Sequence, residues 1–292
     1  MTKPTGDGRP WSSGVEMHEF DESTEDLASA IFQYSLDRVR TDPPLDGPRS
    51  HQELWEAVGQ TITEEGLGGE SVLAAFADHL APACLSSDHP RFLSFVPGAP
   101  TNASVLFDLV VGASAMCAAS WLEAAGTVYA ENQALRWVAD LVGLSEGAGG
   151  CFASGGTMGN LSALIVGRDQ AIRRREADGS GRPVRWSVVA SDGAHSSIDS
   201  AARVMDVDVL LAATGDDRRL RGDAVRAAIA ARPEDTEVFA VVATAGTTNL
   251  GVVDALDEVA EAAAEHEAWF HVDAAYGGAA LAADSARPHF AG

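Results

Sequence analysis

Lysine is nearly missing from this chain of 292 residues: Lys3 is the only one, and arginine supplies the rest of the 20 basic groups. Any chemistry that needs a lysine amine therefore has Lys3 alone to draw on, and Lys3 sits in a polar leader. Basic residues are scarce as a class. Against them stand 43 acidic groups, and the formal charge of -23 argues against nucleic acid or an anionic membrane as partner, since both recruit basic surface. Cysteine is limited to Cys84, Cys117 and Cys151, with no CxxC or CxxH spacing, which speaks for a reduced, cytoplasmic setting rather than a disulfide framework. Long apolar runs are missing too. The most apolar stretch, residues 109–122, is too short to span a bilayer, and residues 1–14 have no apolar core of a signal peptide.

What is present suits a globular α/β protein with ample core, given a hydrophobic content of 46%. Residues 1–15 read as a disordered leader and residues 16–105 as a helical extension. Helical spacing of apolar residues runs over 21–40, 51–62 and 71–84, and no sheet accompanies these helices. They are expected to lie against another part of the protein or a partner subunit. From residue 106 to 292 the pattern changes. Ala-rich helices (126–142, 158–176, 224–231, 254–267) alternate with short apolar runs at 187–190, 207–211, 238–244 and 269–272. Such runs fit strands buried on both faces of a mostly parallel sheet flanked by helices, whose ligands sit at the carboxyl ends of the strands.

Four places could carry chemistry. Ser154-Gly155-Gly156-Thr157 opens a helix, where free N–H groups, the helix dipole and the Thr157 hydroxyl suit a phosphate; a purely structural helix start explains it as well. His195 follows the strand ending at Ala190 and reads either as a surface residue at a helix start or as an imidazole laid over an aromatic ring. Asp273 ends an apolar strand and reads either as a turn cap or as a buried carboxylate for a ring nitrogen, with small Ala275 leaving room for a flat ring. Thr244 ends another strand at the same edge.

Taken in order, these segments resemble the pyridoxal-phosphate-dependent group II amino acid decarboxylases, which include the aromatic amino acid, glutamate and histidine enzymes. The resemblance rests on His89-Pro90-Arg91-Phe92, Ser154-Gly155-Gly156-Thr157 with Asn160, Ala194-His195-Ser196-Ser197, Ala243-Thr244-Ala245-Gly246-Thr247-Thr248 with Gly251, and His271-Val272-Asp273-Ala274-Ala275-Tyr276-Gly277-Gly278. It implies a fold-type I large domain, a homodimer with N-terminal helices wrapping the partner, and pyridoxal 5'-phosphate as cofactor. It further implies that Gly156 and Thr157 hold the phosphate and that His195 and Ala275 lie on opposite ring faces. Asp273 would meet the ring nitrogen, Thr244 would lie beside ring and substrate carboxylate, and residues 92–101 would shape the pocket. The activity implied is loss of carbon dioxide from an L-amino acid.

The departure is the lysine. The family's Schiff-base lysine is expected soon after the region matching residues 287–292, so the chain is expected to be the N-terminal portion of a decarboxylase. Two alternatives stand beside it: a non-catalytic remnant, and another carbon–carbon lyase of the same fold. The substrate stays open, residues 95–100 being closer to the aromatic-type members than to the glutamate ones.

Overall fold

The computed structural model of the chain describes residues 20–64, 66–96, 98 and 100–291. Lys3 and the leader expected over residues 1–15 lie outside the described residues, as do Pro97 and Ala99 of the 92–101 stretch. The chain divides into two compact units, with the division between Ala115 and Met116.

The first unit is helical. Helix α1 (Glu22–Arg40) begins where the Asp21 carboxylate accepts the Thr24 backbone N–H at 2.9 Å. Hydrogen bonds from the Ser23 hydroxyl and from Thr24 hold that carboxyl down at about 2. Helix α2 (His51–Val58) starts on a reciprocal Ser50–Glu53 capping box and ends at Val58 rather than 62, because Gly59 takes φ +66°. Helix α3 (Gly69–Ala75) loosens into a π turn, Phe76–Leu80, and a 3-10 turn, Ala81–Ala83. The regular helix expected over 71–84 is cut short there: Pro82 has no N–H to extend the ladder. Helix α4 (Asn102–Ala113), capped by Thr101, leaves Phe107, Leu109, Val110 and Val111 exposed.

The second unit contains the sheet. After α5 (Trp121–Val142) and α6 (Gly156–Asp178) come β1 (Arg185–Ser191), α7 (Ser197–Met205), β2 (Asp208–Ala212), α8 (Gly222–Ala230), β3 (Thr236–Thr244), α9 (Leu256–Glu265) and β4 (Trp269–Asp273). The four strands are parallel in the order β2-β1-β3-β4. Their apolar runs read continuously because both faces are covered. On one face Val189, Val238 and Val241 meet Val225 and Ile229 of α8 and Val259 of α9. On the other, Val188, Ala190, Phe239 and Val242 meet Leu164 of α6 and Ile198 and Ala202 of α7. A register shift between Ser187 and Val188, where Val238 and Ala240 are the successive partners on β3, puts Phe239 and Ala240 in the same layer. Helix α6 crosses β4 closely at Gly167, where a Cβ would meet Trp269 Cβ at 2.8 Å.

The strand order positions a site. From β1 the chain moves outward to β2 through α7, then returns past β1 to β3, and α9 descends on the opposite face. The loops leaving β1 and β3 therefore diverge, which opens a crevice at the carboxyl ends of two adjacent strands.

Candidate active site

That crevice is a cavity of about 440 Å³, lined by residues 192–196 after β1, Thr247, Thr248, Asn249 and Leu250 after β3, and Arg218. His195 stands on its wall. Arg218 reaches to within 3.8 Å of Asp192. The loop after β3 is held in shape by its own backbone: the Gly246 and Thr247 N–H groups donate to the Val252 carbonyl at 3.2 and 2.9 Å. Gly246 takes φ +102° there, and a Cβ on it would lie 2.9 Å from Tyr276 Cδ1 and 3.0 Å from the Gly277 nitrogen. Only glycine lets this loop approach the turn after β4 so closely.

Gly156, Thr157, His195, Thr244, Asp273 and Ala275 lie at this end of the sheet. Asp273 closes β4 and is 9% exposed. Its Oδ1 accepts the Ala275 backbone N–H at 3.1 Å, and its Oδ2 accepts Asn160 Nδ2 at 2.9 Å. Thr244 closes β3 and pairs in register with Asp273, so the two strand ends are side by side. Its hydroxyl is buried and has no hydrogen-bond partner among the described residues. Gly156 begins α6, whose N-terminus has no side-chain cap, and Thr157 follows on the exposed surface. A Cβ built on Gly156 would lie 3.6 Å from the Ala275 Cβ, so the start of α6 abuts the turn after Asp273.

A buried polar chain connects these groups. The Asp273 carboxylate can only accept, so it fixes the Asn160 amide with nitrogen toward it and oxygen outward. The second Asn160 N–H reaches Ser197 Oγ at 2.9 Å, and the Asn160 oxygen lies 2.8 Å from His271 Nε2, which therefore carries a proton. Burial pushes His271 below its ordinary value, against the opposing pull of the Asp273 charge, so the ring donates as neutral imidazole. His195 Nδ1 receives the Ser197 backbone N–H at 3.2 Å and lies 2.9 Å from Ser197 Oγ. A neutral His195 thus keeps its proton on Nε2.

The geometry brings Gly156, Ala275, Asp273 and His195 into one connected set, with Thr244 in the next strand. Sequence reasoning placed Asn160, Ser197 and His271 in motifs without giving them a task, and passed over Asp254. For the substrate side it chose Thr244, whereas Thr247 and Thr248 line the cavity with His195. Thr248 carried that signal, since a loop residue past a strand end faces outward more readily than the strand's last residue, whereas Thr247 is buried and its hydroxyl accepts the Val252 N–H at 3.2 Å. Among the described residues no group of three His, Cys, Asp or Glu side chains is placed to hold a metal ion.

The pyridoxal-dependent decarboxylase conserved domain matches residues 52–292. The chain belongs to that family. It is 30% identical over 232 residues to an aromatic-L-amino-acid decarboxylase of Bacillus atrophaeus, covering 78% of this chain and 47% of the relative. It is 32% identical over 224 residues to an L-2,4-diaminobutyrate decarboxylase of Rhizobium meliloti (strain 1021), covering 73% and 43%. The chain thus spans about half the length of the curated relatives it matches. In three dimensions it is similar to the Oryza sativa protein TDC with PLP and tryptamine, at TM-score 0.81 and 23% identity over 93% of this chain and 62% of that one. The glutamate decarboxylase domain of a Vibrio parahaemolyticus protein gives 0.78 at 25% identity, with 93% and 62% covered. The fold is that of fold-type I decarboxylases, and the family's cofactor is pyridoxal phosphate.

The residues at the sheet edge fit that cofactor. The uncapped start of α6 offers free N–H groups to a phosphate, the buried Thr244 hydroxyl is left to bond, and Asp273 keeps acceptor capacity beyond its two N–H bonds.

Proposed function

We propose that this chain forms the cofactor-binding part of a pyridoxal-phosphate-dependent carboxy-lyase acting on an L-amino acid. The observation that carries this reading is Asp273: a buried carboxylate at a strand end, oriented by two N–H bonds and set beside the open N-terminus of α6. The α6 N–H groups at Gly156 and Thr157 bind the phosphate, with the Thr157 hydroxyl as a further donor. Asp273 would pair with the ring nitrogen and keep it protonated, and His195 and Ala275 would hold the ring. Thr244 bonds at the ring edge, and Thr248 and Arg218 on the cavity wall meet the substrate. When bound, the cofactor supplies an electron sink for the electron pair released as carbon dioxide leaves.

Among the described residues there is no lysine, so this reading leaves the Schiff-base amine to polypeptide outside them. The same fact favours a second reading, in which the chain binds cofactor without lyase activity. A homodimer is part of the proposal. It is supported by large apolar side chains left open in α5, where Trp137 is 64% exposed, and by the bare flanks of α4. A cytoplasmic location is supported by the unpaired cysteines; no described helix is long and apolar enough to cross a membrane.

The test is a titration of the chain with pyridoxine phosphate, which has the ring and the phosphate but no aldehyde and so cannot react with Lys3. Saturable binding that weakens in Thr157→Ala is expected. No binding at millimolar ligand would overturn the assignment. Release of carbon dioxide from amino acids on adding pyridoxal phosphate to the chain would overturn the second reading.

A further inference from the structure

Asn160 is 5% exposed, and all three of its side-chain polar bonds end on groups of the site. It receives from His271, gives to Asp273, and gives to Ser197, which in turn meets His195. Among the described residues no other side chain hydrogen-bonds both to Asp273 and to the Ser197–His195 pair. The direction of donation is fixed at each link by groups that can act in one sense only: the Asp273 carboxylate accepts, and the Ser197 backbone N–H donates.

We propose that Asn160 is the positioning residue that couples the ring-nitrogen partner, Asp273, to the ring-stacking residue, His195. The inference rests on the functional reading above and adds to it a residue that touches neither ring nor substrate. Asn160 holds the Asp273 carboxylate plane from one oxygen while the Ala275 N–H holds the other. Through Ser197 it also sets the orientation of the His195 imidazole. Gln would be one methylene too long for the three bonds, and Asp would set a second carboxylate 2.9 Å from Asp273 where the amide now stands. An amide of this length at this point meets all three demands.

The chemistry separates this role from a merely structural one. A residue that acts through Asp273 loses its effect once Asp273 cannot hold the ring proton, whereas a residue that only supports the fold keeps it. The experiment is a double-mutant cycle on pyridoxine phosphate affinity, using the whole chain with Asn160→Ala, Asp273→Asn and the pair. Each single variant is expected to bind roughly tenfold more weakly, the scale of one charge-assisted bond. The double variant is expected to lose clearly less than the product of the two single losses, because the part of the Asn160 effect that runs through Asp273 is already gone in Asp273→Asn. Additive losses would overturn the proposal and leave the cofactor site standing. An Asp273→Asn variant that binds as tightly as the parent would overturn both. Should Asn160→Ala fail to fold, nitrogen-15 spectra of the parent chain decide: neutral His195 and His271 are both expected as the Nε2–H tautomer. His271 protonated on Nδ1 alone would contradict the bond to Asn160 and sink the proposal.

Discussion

The backbone N–H of Thr244, the last residue of β3, donates to Asp254 Oδ2 at 2.7 Å, while Asp254 Oδ1 accepts the Leu220 N–H at 2.8 Å. Asp254 is 1% exposed, so this one carboxylate ties the end of the central strand to the segment entering α8. Burial raises its pKa, against the two N–H bonds and the Arg219 charge.

Replacing Asp254 by Asn keeps the volume but turns an NH2 group toward a backbone N–H, leaving a buried donor unpaired. We expect Asp254→Asn to cost about 1–3 kcal/mol of stability, the penalty of an unsatisfied buried group. Denaturant unfolding measures it. A cost below about 0.5 kcal/mol would show that water reaches the site.

The His271 ring gives a pH dependence with a definite sign. Its folded-state pKa lies below the ordinary 6.5, so the unfolded chain takes up its proton first as pH falls. The stability this neutral ring contributes is present above 6.5 and is lost as pH falls through the depressed folded value. His271→Gln keeps a donor to Asn160 but cannot titrate. Stability measured from pH 7.5 to 5 should therefore fall less steeply in His271→Gln than in the parent. Equal slopes would mean that His271 is not buried neutral.

Thr244 separates stability from binding. Its hydroxyl is buried without a partner among the described residues, so Thr244→Val removes an unpaired group at nearly constant volume. Such an exchange is expected to be neutral, or stabilising by up to about 1 kcal/mol, in the chain without ligand. If the hydroxyl bonds to the cofactor, the same variant binds pyridoxine phosphate more weakly. Unchanged affinity would leave Thr244 a core residue, with Thr247 and Thr248 as the cavity's hydroxyls.

The sheet was legible because strands buried on both faces leave unbroken apolar runs, and the runs at 187–190 and 238–244 lie within β1 and β3. Asp273 and Thr244 could be placed at strand ends for the same reason: Thr244 is the first polar residue, and Asp273 the first charged one, to end such a run. Helix α4 was not read, since a segment apolar on several sides shows no amphipathic period, and the Gly69 start of α3 carried no side-chain cap to announce it. The β3 bulge and the Asn160 bonds were beyond reach as well. Asn160 meets Asp273 across 113 positions of chain, a contact created only when α6 is laid over β4. Asp254, likewise, is an ordinary loop aspartate until two backbone N–H groups converge on it.

The role proposed for Asp273 is to hold a proton on the ring nitrogen of a bound pyridoxal-type cofactor. The most direct measurement is the nitrogen-15 chemical shift of pyridoxine phosphate, labelled at the ring nitrogen and bound to the chain near pH 8. A protonated ring nitrogen is expected in the parent and an unprotonated one in Asp273→Asn. A bound ring that is unprotonated in the parent, or protonated in both, would contradict that role.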